Sequence, residues 1–398
     1  MHLDDGRSFL ARTSRQYDLV VYALVDSLAL HSGYSSIRLE SFLFTQEAFN
    51  DVQRVLKPGG VFAMYNYYRQ GWVVGRLARM SEQVLGTAPL VCSLPHQERI
   101  TPADNQKNHI TFLLAGRGAE ATQSIRGWFE EHGSFWLNQR PARNLELNAF
   151  GPDPPAVDGG GPHDWRRIAP AQVDTAGIDL LPSDDWPFLY LRERQIPSLN
   201  LRGAAIIAGL SLIVLIALAP VRTIRPNPQM FFLGAGFMLL ETKSVVHMAL
   251  LFGSTWIVNS VVFFAILVMI LLANLFVLAA RPQRLWPFYA LLGAALLVHI
   301  LVPMNTFLSL GGATRTLASC AVVFVPIFFA GVIFATAFRD STRPDIDFGS
   351  NIAGVILGGL SEYASMVLGF NYLLVVAIAY YGLSMLLRGR GAAALPSP

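Results

Sequence analysis

Apolar residues along this chain follow two regimes. Up to about residue 200 they come as short runs and one-sided stripes; from 204 onward they come as long blocks broken by brief polar loops. In the first regime, 16–25 reads QYDLVVYALV, a run that suits a buried parallel strand. Residues 45–56 then place Ala48, Phe49, Val52, Val55 and Leu56 on one helical side, with Thr45 as N-cap and Glu47 in the first turn. Lys57-Pro58-Gly59-Gly60 ends that helix, and 61–65 follows as a second strand. Strand, helix, glycine turn and strand make the rhythm of a doubly wound α/β fold. A further helix is expected over 72–85, a terminal strand pair from 89–93 and 109–114, and a short amphipathic helix over 123–131. Residues 149–162 hold Pro152, Pro154, Pro155 and Gly159-Gly160-Gly161, a linker or loop composition.

The second regime predicts seven helices: 204–220, 230–252, 256–280, 286–305, 317–338, 349–368 and 371–387. Their lengths are compatible with crossing a bilayer, some only with tilt or snorkelling flanks. The segment 230–252 stands apart, because Glu241, Lys243 and His247 interrupt it near its middle. A charge at such depth costs ~2.5–3.5 kcal/mol or more, so a partner helix, a wet cavity or a function must offset it. Glu241 and Lys243 lie about 160° apart around a helix and cannot simply pair with each other. Gly234 shares the Glu241 side, while Lys243 and His247 share another. In the sixth segment Asn351, Gly354, Gly358 and Glu362 fall on one face, a G-x-x-x-G groove with a carboxylate at its end. Lys243 is therefore expected to meet Glu362, and Glu241 to meet Asn259, Asn274 or His299. His299 itself, near Pro303, is expected at the membrane interface. These groups read either as a transport or ligand-coupling site or as a structural clamp that fixes helix register.

Composition agrees with the division. The 398 residues are 53% hydrophobic and 14% charged, against about 25% charged in ordinary soluble domains. The net charge of +3 is too small to argue for nucleic acid, and two cysteines give no disulfide framework. No metal site is expected. Residues 1–10 lack the basic and apolar regions of a signal peptide.

Four stretches carry a family resemblance: Asp4-Asp5-Gly6-Arg7-Ser8-Phe9-Leu10, Tyr17-Asp18-Leu19-Val20-Val21, Phe44-Thr45-Gln46-Glu47-Ala48-Phe49 and Leu56-Lys57-Pro58-Gly59-Gly60-Val61. In order and spacing they resemble the spermidine synthase family, which has the S-adenosylmethionine methyltransferase fold. The stretches 234–245 and 349–363 likewise resemble the C-terminal region of its membrane-fused members. The resemblance implies a partial Rossmann-like, methyltransferase-type α/β domain over 1–116, followed by an all-α membrane bundle of about seven helices over 204–387. Between them, 117–203 is expected to be a linker and membrane-docking segment, with 388–398 as a tail. In that segment Ser183-Asp184-Asp185-Trp186-Pro187-Phe188-Leu189-Tyr190 resembles the family's stretch before its membrane helices. Trp186 and Tyr190 suit the bilayer interface, and Arg192, Arg194 and Arg202 suit phosphate headgroups.

By the same resemblance, the ligand is S-adenosylmethionine or its decarboxylated form, and the substrate a small amine or another small molecule. Asp5, or less directly Asp4, would bond the adenine amino group; the plainer alternative is an Asp that caps its own turn. Asp26 matches the second position of the family's Asp-x-x-Asp pair, which grips and deprotonates the attacking amine, but Ala23 stands at the first. Tyr65 and Asn66 follow the second strand, at the carboxyl edge where α/β folds bind ligands, and His31 falls in a loop over that edge. The family's Gly-rich nucleotide loop lies upstream of the Asp-Asp-Gly-Arg element, so the chain is expected to be a fragment, incomplete as an aminopropyltransferase. The alternative is a transporter-like multi-pass protein with a degenerate soluble domain. Either way an integral protein of the bacterial inner membrane is expected. With seven spans, one side collects Arg222, Arg225, Arg281, Arg284, Arg339, Arg343, Arg388 and Arg390 and the other Arg192, Arg194, Arg202 and Arg315. The positive-inside rule then puts the soluble part outside, whereas a nucleotide-using domain belongs in the cytoplasm.

Overall fold

The computed structural model of the chain describes residues 5–25, 39–139, 148–155, 164–218, 226–253, 256–302, 305–308, 310 and 312–388. Two compact units emerge: 9–31 with 40–193, and 194–398 with 1–8 and 32–39.

The first unit is a mixed sheet with helices. After α1 (Gly6–Arg12) come β1 (Tyr17–Ala23), a 3-10 turn (Leu39–Phe44), α2 (Gln46–Val55) and β2 (Leu56–Asn66). A short β3 (Arg69–Gln70) leads into α3 (Gly71–Leu85), then β4 (Leu90–Leu94), β5 (Arg99–Ile100), β6 (Asn105–Gln106) and β7 (Ile110–Gly116). Next are α4 (Ala119–His132), β8 (Ser134–Asn138), β9 (Asn148–Gly151), β10 (Trp165–Ile168) and β11 (Pro170–Val173). The main sheet has the order β1-β2-β7-β4-β11-β5. β1 and β2 are parallel, as the strand-helix-strand rhythm predicts, and β2, β7, β4 and β11 then alternate antiparallel.

The local sequence explains these joints. Thr45 Oγ1 accepts the Ala48 N–H at 3.2 Å, and α2 buries Ala48, Phe49, Val52 and Val55, the expected face. The helix stops at a Leu56 in extended geometry. Gly59 has φ +76°, a conformation that L side chains rarely adopt, and a Cβ on Gly60 would meet the Tyr17 and Lys57 carbonyls at 3.0 Å. The two glycines thus let β2 start directly against β1. Beside them Lys57 Nζ bonds Asp18 at 2.8 Å, which holds the exposed Asp18 carboxyl below its ordinary range.

Two expectations are corrected here. Among the described residues β1 is an edge strand, not a strand buried on both faces: Tyr22 packs inward, but Leu19 and Val21 are 55% and 46% exposed. The stretch expected as a linker and docking segment is folded into this unit as far as Glu193. α4 packs on β7, β8–β10 form a second sheet, and β11 joins the main one. Trp186 and Leu189 are fully buried and Phe188 is nearly so, so these side chains face protein. Arg76 of α3 explains why. Its guanidinium, 2% exposed, donates to the carbonyls of Leu189 and Leu191 at 2.7 Å and of Arg192 at 3.0 Å. It also lies 4.7 Å from the centroid of the Trp72 ring and 6.0 Å from that of Trp186. Burial, with Arg192 nearby, lowers its pKa to about 10, so it remains charged at neutral pH. Asp184 is tied as well: it accepts from Thr45 Oγ1 at 2.7 Å, and its N–H donates to Glu47 at 2.9 Å.

The second unit is helical: α5 (Ser198–Leu218), α6 (Pro228–Phe252), α7 (Trp256–Ala280), α8 (Trp286–Leu301), α9 (Asn305–Leu308), α10 (Gly312–Arg339), α11 (Pro344–Ser361), α12 (Ser365–Leu368) and α13 (Phe370–Leu386). Among the described residues five stretches are long and apolar enough to cross a membrane: Ser198–Ala217, Pro228–Phe252, Val258–Ala280, Ala313–Arg339 and Pro344–Leu368. α8 and α13 are apolar but shorter, at 16 and 17 residues. These lengths and compositions suit a lipid bilayer, and the protein is read as a membrane protein.

α6 is the hub, packed by α11, α13, α10 and α7. Its contact with α11 is backbone on backbone. A Cβ on Gly354 would lie 1.7 Å from the Phe231 carbonyl oxygen, and one on Gly358 2.5 Å from that of Ala235. Gly234 answers from the other side, 2.1 Å from the Asn351 carbonyl by the same measure. The small-residue face expected from spacing is therefore the α6–α11 seam. Polar caps hold the seam at one end. Asn227 caps α6 and donates to Asp347 at 2.8 Å, while Asn351 donates to the Met230 carbonyl at 3.0 Å.

Candidate functional sites

Two groups of polar side chains deserve chemical scrutiny, one in each unit. The first lies where β2 ends. Parallel pairing places Ala23 of β1 opposite Tyr65, and antiparallel pairing places Asn66 opposite Thr111 and Thr111 opposite Ser93. The ends of β1, β2 and β4 and the start of β7 therefore share one sheet edge. Tyr65 is half-buried and tilts against Phe112, with ring centroids 5.5 Å apart, which is ordinary packing. Asn66 differs. It is 5% exposed, its Oδ1 accepts the Tyr67 N–H at 2.7 Å, and its Nδ2 is buried with no partner among the described residues. The hydroxyl of Thr111 and the Nδ1 atoms of His96 and His109 are also buried and unpartnered. Buried polar groups are rarely left so, and each costs about 1–3 kcal/mol unless something meets it. The arrangement offers donors and acceptors to a small polar ligand at the carboxyl edge of a parallel pair.

Of the resemblance-based residues, Asp5 is seen as the cap of α1: its Oδ1 accepts the Ser8 N–H at 2.9 Å. Asp4, Asp26 and His31 lie outside the described residues.

His96 gives this edge a pH dependence. Burial first, and then Arg167, lowers its pKa below 6.5, with Glu98 opposing. The folded imidazole thus binds its proton at a lower pH than the unfolded one. Its neutral form costs nothing above the unfolded value, and stability falls as pH drops from 6.5 toward the folded pKa. Acidification from pH 7.5 to 5 is expected to raise hydrogen exchange in β4 and β5, and His96→Gln to remove part of that rise. An identical profile in His96→Gln would exclude the imidazole as its source.

The second group lies inside the helical unit. Lys243 is 2% exposed; its Nζ donates to Asn371 at 3.2 Å and sits 5.5 Å from the centroid of the Phe370 ring. One turn on, His247 Nδ1 meets His299 Nε2 of α8 in hydrogen-bonding contact, with ring centroids 4.5 Å apart. Both imidazoles are buried, and the Nδ1 of His299 has no partner among the described residues. An ammonium, two imidazoles and an amide thus gather from α6, α8 and α13.

Two expected pairings and one expected placement are corrected. Glu362 accepts from Thr242 Oγ1 at 3.4 Å and forms no ion pair with Lys243. The helix passes at Glu362 into a 3-10 turn, Glu362–Ala364, before α12. Among the described residues Glu241 meets none of its expected partners: Asn274 bonds back to the Ile270 carbonyl, His299 takes His247, and the Asn259 Oδ1 has no partner. His299, expected at the interface, is 2% exposed and faces protein rather than headgroups. Its placement has a signal in the sequence, since Tyr289, Leu292, Leu296 and His299 form one buried stripe at helical spacing. Asn371, by contrast, had no such signal, because it sits at the first turn of α13. Comparison of the chain with family models, curated proteins and solved structures finds no match.

Proposed function

We propose that this is a membrane-fused spermidine synthase-like protein, an S-adenosylmethionine-family transferase of the bacterial inner membrane. S-adenosylmethionine or its decarboxylated form is its ligand, and a small amine or another membrane-accessible molecule its substrate. The observation that carries the reading is the buried Asn66 Nδ2 beside the Thr111 hydroxyl, both without a partner among the described residues, at the carboxyl end of a parallel strand pair. A sheet of this kind presents its ligand edge there. Two of the four stretches of family resemblance lie on these strands: the Lys-Pro-Gly-Gly turn starts β2, and the Tyr17-Asp18 strand is β1. In this reading all seven apolar helices cross, with α8 and α13 served by snorkelling flanks. Calorimetry of the full chain in lipid nanodiscs tests it. Either S-adenosyl ligand should bind, and Asn66→Ala should weaken binding about tenfold, the worth of one hydrogen bond in a buried site. Absence of heat with both ligands, or equal affinity in Asn66→Ala, would sink this assignment.

The Lys243–His247–His299 group favours a second reading, a transporter-like protein whose soluble unit is degenerate. Ionisable groups inside a helix bundle commonly mark an ion or substrate path. Glu241→Gln, Lys243→Met and Glu362→Gln are then expected to abolish proton-coupled flux of a small amine in vesicles, with the protein still folded. Unchanged flux in all three variants leaves these groups a structural role.

A further inference from the structure

The buried polar side chains of the helical unit divide between its two ends. One end holds the starts of α6 and α8 and the close of α13. There Gln229 Nε2 donates to Tyr289 at 3.5 Å, Tyr289 bonds Ser384 at 2.8 Å, and Ser384 donates to the Gln229 carbonyl at 3.1 Å. That end closes on itself. The other end holds the close of α6 and α8 and the starts of α7, α10 and α13. Contacts bring these together: His247 on His299, Lys243 on Asn371, and the Arg315 guanidinium 5.9 Å from the centroid of the Phe252 ring. Here five buried side-chain atoms have no partner among the described residues: Asn259 Oδ1, His299 Nδ1, Arg315 Nε, Ser319 Oγ and Ser365 Oγ. The Tyr381 hydroxyl, whose ring packs on Gly236 in mid-helix, is the one other such atom described in these helices. Arg315 is half-buried, and Ser319, one turn inward on α10, is fully buried. Each orphan costs about 1–3 kcal/mol unless something meets it. The set mixes an amide acceptor, a guanidinium donor, two hydroxyls and a ring nitrogen, and the small molecule that serves all of them is water. α8, at 16 residues, reaches about 24 Å against a hydrocarbon core of ~30 Å, so it does not seal the full depth.

We propose that a water-filled path enters the helical unit from this end and stops at the His247–His299 pair, which exchanges protons with it. The inference rests on the transporter-like reading and names its coupled ion, a proton. Imidazoles within a helix bundle commonly serve such proton paths. A proton suits this geometry and a metal ion does not, because the two rings touch and leave no room between them. When His299 Nε2–H donates to His247, the Nδ1 of His299 is a bare acceptor. A hydronium ion gives it one proton and departs as water. One O–H bond breaks, one N–H bond forms, and the pair gains one positive charge. The charged groups of this end are Lys243 and Glu241 of α6, Arg315 of α10, Glu362 in its bond to Thr242, and Asp5 against Gly253. α7 and α13 contain no charged residue, and α8 none besides its histidine.

The test uses water itself as the probe. In the full chain carrying Cys92→Ala and Cys320→Ala, Ser319→Cys and Ser384→Cys each put a single thiol at a fully buried serine, one at each end. The infrared sulfhydryl stretch in nanodiscs reads deuteration after transfer to heavy water. Ser319→Cys is expected to exchange at least about tenfold faster than Ser384→Cys. Nitrogen NMR of the histidine-labelled chain reads the pair itself. Saturation of water should transfer to ring N–H signals that His299→Gln removes, and Ser319→Leu, which fills the path, should cut that transfer about tenfold. Equal deuteration of the two thiols, or unchanged transfer in Ser319→Leu, overturns the proposal. Neither readout involves flux, so a failed flux test sinks the transport reading and leaves the water path standing.

Discussion

Gly354→Leu is expected to cost the helical unit ~3 kcal/mol or more, the upper range for forcing atoms into a packed core. A Cβ there would sit 1.7 Å from the Phe231 carbonyl oxygen, a backbone atom that cannot swing aside. α6 and α11 would have to separate along their whole seam, which would also strand Asn351, donor to the Met230 carbonyl. Gly359→Leu is the matched control, one residue from Gly358 in the same helix, with nothing within 4 Å of its added Cβ. Thermal unfolding in nanodiscs, followed by near-ultraviolet dichroism, should show a large drop for Gly354→Leu and little change for Gly359→Leu. Equal melting of the two would mean that the seam is not what holds α6.

The second large effect belongs to Arg76. Replacement by Met keeps the length and the apolar stem but removes the fork that joins three carbonyls. Those carbonyls lie in a segment packed around fully buried Trp186 and Leu189, so water cannot readily replace the guanidinium. A loss of about 3–5 kcal/mol is expected, the scale for stranding the partners of a buried charge. Arg76→Lys should recover little, because one ammonium cannot reproduce a planar fork against Trp72. Arg79→Ala is the control: Arg79, partly buried, bonds the exposed Asp179 at 3.4 Å, worth at most about 1 kcal/mol. Hydrogen exchange across 183–192 separates the cases. Protection should collapse in Arg76→Met and persist in Arg79→Ala; protection in both would exclude the clamp.

How far the sequence foretells this molecule depends on the range of the force involved. α2 and its Thr45 cap, the β1–β2 pair, and the β4–β7 pair are legible because each rests on local spacing and turn chemistry. The Gly354 and Gly358 face is legible for a similar reason: small residues four apart have one common use in a membrane helix. The failures are all questions of partnership. A strand apolar on both faces reads as buried, but in β1 only the Tyr22 face finds cover. Trp186 beside charged residues reads as interfacial, but Arg76, more than a hundred residues away in the chain, draws its segment into the core. Lys243 and Glu362 have opposite charges and suitable depth, yet Glu362 takes Thr242 and Lys243 takes Asn371. At the sheet edge, Tyr65 and Asn66 are located correctly by topology alone. That Asn66, rather than its aromatic neighbour, carries the unmet hydrogen bond depends on the pairing with β7, which spacing does not reveal.

Two helices in the membrane unit answer to different constraints. α5 buries none of its apolar window, and Ile206, Leu210 and Ile213 are each more than half exposed, whereas α6 buries two-thirds of its own. Exchange of leucine, isoleucine, valine and phenylalanine along α5 changes its affinity for hydrocarbon only slightly, so this helix can drift freely in sequence. Along α6 the same exchanges alter volume against four neighbours, and at Gly234 and Gly236 even one methyl group meets another helix. Mutational tolerance should therefore differ sharply between two helices of similar apolar character, with hydropathy alone governing α5 and shape governing α6.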